Sequence, residues 1–212
     1  SSDFSFGTGD FTFECFGFAT TDTSSGVKVL LDLRTSNNNN QDNMSAIVWN
    51  GTYMSVYSGA QFNSGTDLSF PRGQWTHLCV QRISGVLYFS TNGTVSSTTP
   101  AFTRNLTANG LATIGGNVGL GASMFTGYIS NLRVTKGTGI YGTSSFTVST
   151  APFTTTSQGA TASEVKLLTC QSNRFIDNSS TGRSFTVNGN VSVKENIPFE
   201  LLKRQTKFLN LQ

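Results

Sequence analysis

The chain has 212 residues, a formal net charge of +3 and only 12% charged residues, about half of the share usual for globular proteins. A chain of this length can bury a core without a disulfide or a metal, and its 17 Phe supply much of the apolar surface for one. Ser, Thr, Asn and 22 Gly dominate the remainder, so the composition excludes a helical bundle or coiled coil and disfavours disorder.

Alternation of apolar and polar residues predicts a succession of β-strands. In the first strand, Phe11, Phe13 and Cys15 share one face and Glu14 points to the other. Further strands are expected at 27–33, 46–49, 53–57, 75–82, 86–90, 111–114, 125–135, 166–170 and 184–193, with a short one after Gly93. Hairpin turns are expected at Asn50-Gly51, Ser84-Gly85 and Asn92-Gly93. This spacing predicts an all-β antiparallel sandwich or barrel.

Three stretches lie outside the strand pattern. The polar loop 36–43 contains four consecutive Asn and is expected to be solvated, and 142–163 is expected to be a long irregular connection along the surface. We assign 1–196 to a single domain and 197–212 to a C-terminal tail, which is either frayed or an arm that orders against a neighbouring subunit. We favour the arm, whose expected subunit contacts are Leu201, Leu202, Lys203, Arg204, Phe208 and Leu209.

Candidate catalytic groups are few. The four Glu do not lie at strand spacing from one another, whereas glycoside hydrolysis needs two carboxylates within about 5 to 10 Å. The single histidine, His77, and Cys79 share a strand face about 7 Å apart, too far for a direct hydrogen bond. No His and Cys cluster suits a metal ion. We therefore predict no enzymatic activity, no catalytic residue and no metal ligand, with His77 in a structural role.

The three cysteines, Cys15, Cys79 and Cys170, are far apart, odd in number and set among apolar residues. We expect buried free thiols that pack as small apolar side chains. A disulfide-built secreted scaffold would favour an even number.

Four segments resemble the laminin-G-like, concanavalin A-like jelly roll. Residues 73–93 are similar to its central hairpin, and 114–116 with 125–134 are similar to its closing strand. Residues 6–12 and 167–178 resemble a subgroup common in virion proteins of marine bacteriophages. The resemblance covers roughly residues 3–193 and implies an antiparallel two-sheet jelly-roll sandwich.

The function that the resemblance implies is broader, because the family includes lectins, adhesion modules, glucanases and virus surface proteins. We expect a non-enzymatic phage virion surface protein, a capsid decoration or a tail-fibre component, assembled in the host cytoplasm. Its expected partners are other virion proteins, further copies of the chain and a host or cell-surface glycan. The alternative is a secreted, extracellular lectin-like adhesion module that binds carbohydrate, with or without calcium. No run of 18 apolar residues and no basic stripe is present, so neither membrane nor nucleic acid is expected as a partner.

Candidate ligand contacts fall in two places. Trp49, Asn50 and Tyr53 are expected on exposed loops that could touch a glycan, with core packing as the alternative for Trp49. The family's calcium-dependent members use acidic and Asn oxygens, and Asp42 beside Asn43 is the suggestive cluster here. One carboxylate falls short of the six or more oxygens that calcium takes, so no cofactor is expected.

The sequence departs from the family at its start. Members usually carry an additional strand before the segment that matches residues 1–6, close to the C-terminal strand. The chain begins with Ser1 and shows no signal peptide, so we expect a processed product or a piece of a longer protein. Without that strand a sheet edge would be unpaired, and we expect 197–212 or a neighbouring subunit to fill it.

Overall fold

The computed structural model describes residues 2–35, 40–107, 111–118, 123–194 and 197–199, which form two antiparallel sheets packed face to face. Along the chain, the strands are β1 (Phe11–Ala19), β2 (Val27–Asp32), β3 (Ser45–Asn50), β4 (Met54–Tyr57), β5 (Gln61–Asn63), β6 (Trp75–Ile83), β7 (Val86–Thr91), β8 (Thr94–Val95), β9 (Thr113–Ile114), β10 (Gly127–Lys136) and β11 (Val165–Thr169). The helical elements are two 3-10 turns, Ser2–Phe4 and Ser157–Gly159. None of the helices in the described ranges is long and apolar enough to span a membrane.

The strand order confirms the predicted two-sheet jelly-roll sandwich. One sheet has the order β11-β10-β1-β6-β7-β8 and the other β5-β4-β3-β2-β9. The long strands β1, β6 and β10 lie side by side, with β1 between β6 and β10. β10 begins more than a hundred residues after β1 ends and β6 more than fifty, so both pairings of β1 join distant parts of the sequence.

The core between the sheets follows the predicted alternation of β1. Phe11, Phe13 and Cys15 point inward and are fully buried. The rings of Phe11 and Phe13 stack with 4.4 Å between centroids, and Phe6 meets Phe13 edge-on at 5.1 Å. Each fully buried Phe side chain contributes about 1.5–3 kcal/mol of hydrophobic stabilisation, so this cluster is a main source of fold stability.

A buried cation joins the N-terminal segment to the core. Arg82 of β6 lies over the ring of Phe11, 4.8 Å from its centroid, and its Nε donates a hydrogen bond to the carbonyl of Gly9 at 2.7 Å. Its other nitrogens donate to the carbonyls of Gly7 and Arg104. Burial lowers the pKa of Arg82 to about 10, so the side chain stays charged at neutral pH. Carbonyl oxygens thus take the place of a carboxylate partner.

The outer face of the six-stranded sheet is covered by residues 138–160, here called the cover segment, which include most of the connection predicted at 142–163. Phe16 of β1 points to this face and packs against Phe153 of the cover segment, with 5.6 Å between ring centroids. Val165 and Leu168 complete this second apolar cluster. The expected surface connection is confirmed, and it also buries one face of a sheet.

Two strand predictions differ from the structure. Residues 184–193 were expected to form a strand, but no strand follows β11 within the described ranges, and Val187 and Val191 are exposed. The strand β5 was not expected, because its three residues place a single apolar side chain, Phe62, between two polar ones. Three residues are too few for an alternation to be recognised.

An unpaired edge was expected at the C-terminal strand, which is β11. This expectation is wrong for the backbone groups of Lys166 and Leu168 that point away from β10, because other residues of the chain bond to them. The backbone N–H of Leu168 donates to Oδ1 of Asp177 at 3.1 Å, and its carbonyl accepts from the N–H of Asn178 at 2.7 Å. The carbonyl of Lys166 accepts from Nη1 of Arg183. The loop that follows β11 therefore closes this edge. The tail contacts expected from residue 201 onward lie outside the described residues.

Candidate functional site

An open cleft of about 430 Å³ lies at one end of the sandwich, here called the loop-end cleft. Three connections form it: the β1–β2 loop (20–26), the β3–β4 turn (51–53) and the β5–β6 connection (64–74). Its lining residues are Asp22, Thr23, Ser24, Trp49, Gly51, Thr52, Thr66, Leu68, Ser69, Phe70, Pro71 and Arg72. Apolar side chains thus form the floor, and hydroxyl and charged groups form the rim.

The floor of the cleft is held by internal hydrogen bonds. The indole Nε1 of Trp49 donates to the carbonyls of Thr23 at 3.1 Å and Gly51 at 3.0 Å, and its ring meets Phe70 edge-on at 5.7 Å. The hydroxyl of Thr23 donates to the carbonyl of Phe70. These bonds tie all three connections together, so a ligand would find a preorganised surface.

Gly51 allows two of the connections to approach each other. Its φ is +70°, and a Cβ at this position would lie 2.9 Å from the carbonyl oxygen of Ser24. Both the left-handed backbone and the close contact require glycine. The Asn50-Gly51 turn predicted from the sequence therefore also shapes the cleft.

The rim offers both hydrogen-bond acceptors and donors. The carboxylate of Asp22 accepts from the hydroxyl of Ser24 at 2.6 Å and from its N–H at 2.8 Å, and these bonds lower the pKa of Asp22. Each carboxylate oxygen retains acceptor capacity for a ligand. Arg72 is exposed, and among the described residues it forms no ion pair. The exposed hydroxyls of Thr52 and Ser69 lie on the same rim.

The structure places the predicted ligand contacts at two ends of β3: Trp49, Asn50 and Tyr53 near the loop-end cleft, and Asp42 and Asn43 at the other end. Trp49 belongs to β3, is 3% exposed and lies in the main core cluster. Core packing, the alternative given for Trp49, is therefore confirmed, and an exposed loop position is wrong. Trp49 lines the loop-end cleft as part of the floor. Asn50 ends β3 beside the cleft, where its Nδ2 donates to the hydroxyls of Tyr53 at 3.1 Å and Tyr57 at 3.3 Å. Asn50 and Tyr53 thus do lie together.

Asp42 and Asn43 lie at the opposite end of β3. The six residues of that strand separate them from Asn50 by about 17 Å. Asp42 is exposed, whereas Asn43 is buried with its Oδ1 lacking a hydrogen-bond partner. The described residues hold no group of three or more His, Cys, Asp or Glu that could bind a metal ion. One exposed carboxylate and one enclosed amide do not fit calcium, which takes six or more oxygens.

A buried charged cluster between β1, β6, β10 and the cover segment was not predicted. The Glu14 carboxylate accepts from Nε of Arg133 at 2.8 Å, from Nε2 of His77 at 3.0 Å and from the hydroxyl of Tyr141 at 2.6 Å. Glu14, His77 and Arg133 are all fully buried. Nη1 of Arg133 also donates hydrogen bonds to the carbonyls of Thr154 and Ser157 in the cover segment, both at 2.9 Å. The cluster therefore fastens the cover segment to the sheet.

The ionisation of the cluster follows from its contacts. Burial raises the pKa of Glu14, but the hydrogen bond from His77, the charge of Arg133 and the hydrogen bond from Tyr141 outweigh burial, so its pKa is lowered overall. Burial and the nearby Glu14 charge raise the pKa of Tyr141, which stays a donor. Glu14 is thus an ionised, fully enclosed acceptor. The structural role of His77 stays a prediction, which its burial and its hydrogen bond to Glu14 favour.

The three cysteines are free, and burial raises the pKa of each thiol. Cys15 and Cys79 are fully buried, which confirms the prediction for these two. Cys170 is half-buried, and its pKa is raised to about 11.

The fold and the cleft define an all-β jelly-roll sandwich with a polar, loop-built cavity at one end. A family model described as the concanavalin A-like lectin/glucanases superfamily, of the third laminin-G type, matches residues 1–138. The chain therefore belongs to the concanavalin A-like lectin/glucanase superfamily. No curated protein sequence matches it.

Solved structures share this fold at low sequence identity. A protein from Bacteroides ovatus ATCC 8483, described as carbohydrate-binding, is similar with a TM-score of 0.53 and 14% identity, over 84% of this chain and 51% of that one. Domain 4 of the extracellular arabinanase AbnA from Geobacillus stearothermophilus, in complex with arabinotriose, has a TM-score of 0.48 and 20% identity, over 61% of each chain. The chain thus spans about half of the first protein and less than two thirds of the second.

Proposed function

We propose that the protein is a non-catalytic, lectin-like module that binds carbohydrate in the loop-end cleft. The observation that carries this proposal is the cleft's combination of an apolar floor with a rim of hydroxyls, one carboxylate and one guanidinium. Ligand pockets with apolar walls and a few fixed polar groups are typical small-molecule sites. Membership of a lectin-containing superfamily supports the assignment.

The groups on the rim match the chemistry of a sugar. Asp22 accepts hydrogen bonds from adjacent hydroxyls, and Arg72 donates to ring or hydroxyl oxygens. The apolar CH face of a sugar ring would lie against the half-buried ring of Pro71. Because Trp49 and Phe70 are almost fully buried, neither offers an open ring face for stacking. Binding at a single site is therefore weak, and avidity from several copies would raise it by about 10² to 10⁴.

The non-enzymatic part of the proposal rests on the carboxylates. Glycoside hydrolysis needs two carboxylates on either side of the scissile bond. Asp22 is the single carboxylate among the cleft's lining residues, and Glu14 is enclosed beneath the cover segment. Incubation with a panel of β-glucans, followed by reducing-sugar release, is expected to show no turnover. Release of reducing sugar would refute the non-catalytic lectin proposal and indicate a glycoside hydrolase.

The binding experiment uses a glycan array followed by calorimetric titration of the best ligand. Asp22→Asn is expected to lower the affinity about tenfold, because a neutral amide replaces a charged acceptor. Asp42→Asn is the matched control, since this exposed carboxylate lies at the other end of β3 and its replacement should leave binding unchanged. Absence of binding to any glycan, or equal loss in both variants, would refute the site.

We further propose, on the resemblance of 6–12 and 167–178 to marine bacteriophage proteins, that the module sits on a virion surface, as a capsid decoration or tail-fibre component. The alternative location is extracellular, as a secreted adhesion module. Mass spectrometry of purified phage particles against the culture supernatant separates the two locations. Detection in the supernatant alone would favour the secreted module.

A further inference from the structure

Three aromatic side chains, here called the aromatic row (Phe18, Trp75 and Tyr128), cross the outer face of the six-stranded sheet. Strand pairing places Phe18 of β1 directly opposite Trp75 of β6 and Tyr128 of β10. The ring centroid of Phe18 lies 5.5 Å from that of Trp75 and 5.7 Å from that of Tyr128. All three side chains are half-buried. The row is therefore a partly exposed apolar surface about 10 Å across, the width of three adjacent strands.

The neighbouring aromatic pair on the same face is already covered. Phe16 and His77 lie opposite each other two positions away from the aromatic row, on the same face because side chains alternate along a strand. Phe153 of the cover segment packs on both, with its ring centroid 5.6 Å from Phe16 and 5.9 Å from His77. Phe16 and His77 are accordingly buried. A later part of the same chain thus buries this face right beside the aromatic row.

The last described residue lies at the boundary between the covered pair and the aromatic row. The ring of Phe199 meets Phe16 edge-on, with 5.1 Å between centroids. Phe199 and Trp75 both pack against the apolar cluster that contains Phe16 and Phe153. Because successive Cα atoms are only about 3.8 Å apart, the chain that follows Phe199 leaves from a point beside the aromatic row.

We propose that residues 200–212, here called the terminal segment, fold back over the aromatic row of the same chain. The segment has the composition for this contact, with large apolar residues and cations close together. The apolar residues remove the remaining surface of the row from water, and the cations lie over aromatic ring faces, which attract positive charge. The apolar residues are Leu201, Leu202, Phe208, Leu209 and Leu211, and the cations are Lys203, Arg204 and Lys207.

The chain's own terminal segment is the occupant because it is tethered beside the row. When extended it reaches about 45 Å, several times the width of the row. A short flexible tether gives an effective concentration in the millimolar range, which a segment from a second copy in dilute solution does not match. The contact lies within one chain, and it does not depend on sugar binding in the loop-end cleft.

Acrylamide quenching of tryptophan fluorescence in the dilute full chain tests the proposal. Trp49 and Trp75 are the two tryptophans, and because Trp49 is only 3% exposed, a change in quenching reports on Trp75. The double variant Leu201→Asp with Leu202→Asp is expected to raise the quenching constant and shift the emission to the red. Charged side chains do not stay against aromatic rings away from water, so the variant should uncover the row.

The matched control is Leu111→Asp with Met124→Asp. Both side chains are exposed, and both belong to the other sheet, since Leu111 precedes β9 and Met124 forms a bridge with Val29 of β2. The control adds the same two charges and should leave the quenching constant and the emission unchanged. Far-UV circular dichroism should show that both double variants keep the β-sandwich.

Three outcomes would overturn the proposal. The first is a terminal-segment variant that is quenched no more than the unmodified chain, because the segment would then leave the row uncovered. The second is an equal rise in quenching in the control. The third is protection of Trp75 that appears only at concentrations where sedimentation velocity shows a dimer, because the segment would then cover a neighbouring copy. Protection in a monomer at every concentration is the expected result.

Discussion

Oε1 of Glu14 accepts a hydrogen bond from Nε of Arg133 at 2.8 Å, across 119 positions of sequence and with both side chains fully buried. The pairing of β1 with β10 places the two residues opposite each other. Arg133 then reaches two carbonyls of the cover segment. One ion pair thus connects two strands of the sheet with the segment that covers it.

Replacement of Glu14 by Gln is expected to destabilise the fold strongly. The change leaves the buried guanidinium of Arg133 without its counter-charge, and breaking a buried pair in this way costs about 3–5 kcal/mol. Tyr141→Phe removes a single hydrogen bond to Glu14 and should cost about 1–3 kcal/mol. Urea unfolding monitored by tryptophan fluorescence measures both. A Glu14→Gln loss no greater than that of Asp42→Asn, an exposed control, would contradict the assigned role.

Acid stability should also depend on Glu14. Its pKa is lowered in the folded state, so ionised Glu14 contributes stability above its unfolded pKa of about 4.3. That contribution is lost as pH falls through the lower folded value, when the carboxyl must be protonated. The free energy of unfolding should therefore fall between pH 5 and more acidic values less steeply in Glu14→Gln than in the unmodified chain. Parallel pH profiles would show that Glu14 carries no part of the acid sensitivity.

The sequence could predict the strands but not the buried cluster. Alternation located β1, and glycine-containing turns such as Asn50-Gly51 separated the hairpins. Positions 14, 77 and 133 meet only because β6 and β10 flank β1, and strand order cannot be read from local patterns. A charged Glu14 between apolar neighbours was the one available signal that its face is buried.

The candidate site was predicted only in part for a similar reason. Trp49 beside a turn suggested exposure, but two connections distant in sequence enclose it. Its Nε1 donates to the carbonyl of Thr23, and its ring meets Phe70 edge-on. Asp22 and Arg72 reach the cleft from connections distant in sequence, so no spacing pattern joins them.

Asp177 closes the β11 edge, and we expect it to slow the exchange of backbone amide hydrogens with solvent at that edge. Asp177→Ala removes the acceptor of the Leu168 N–H and one of the two carboxylate partners of Arg183, the other being Asp3, at a cost of about 1–3 kcal/mol. Hydrogen exchange of the Leu168 amide should become faster. Asp67→Ala is the matched control, because Asp67 caps Ser97 at another loop and should leave the Leu168 amide unchanged. Equal exchange at Leu168 in both variants would mean that another group closes the edge.

Thiol reactivity should report the packing of the three cysteines. Cys15 and Cys79 are fully buried, so they should not react in the native protein. Burial raises the pKa of Cys170 to about 11, so at pH 8 its thiolate fraction is about one in a thousand and native labelling should be slow. A thiol titration in guanidinium without reductant should give three thiols per chain, and Cys170→Ser should abolish the slow native reaction. Fewer than three thiols after denaturation would indicate a disulfide and favour the secreted alternative, because disulfides persist in oxidising compartments.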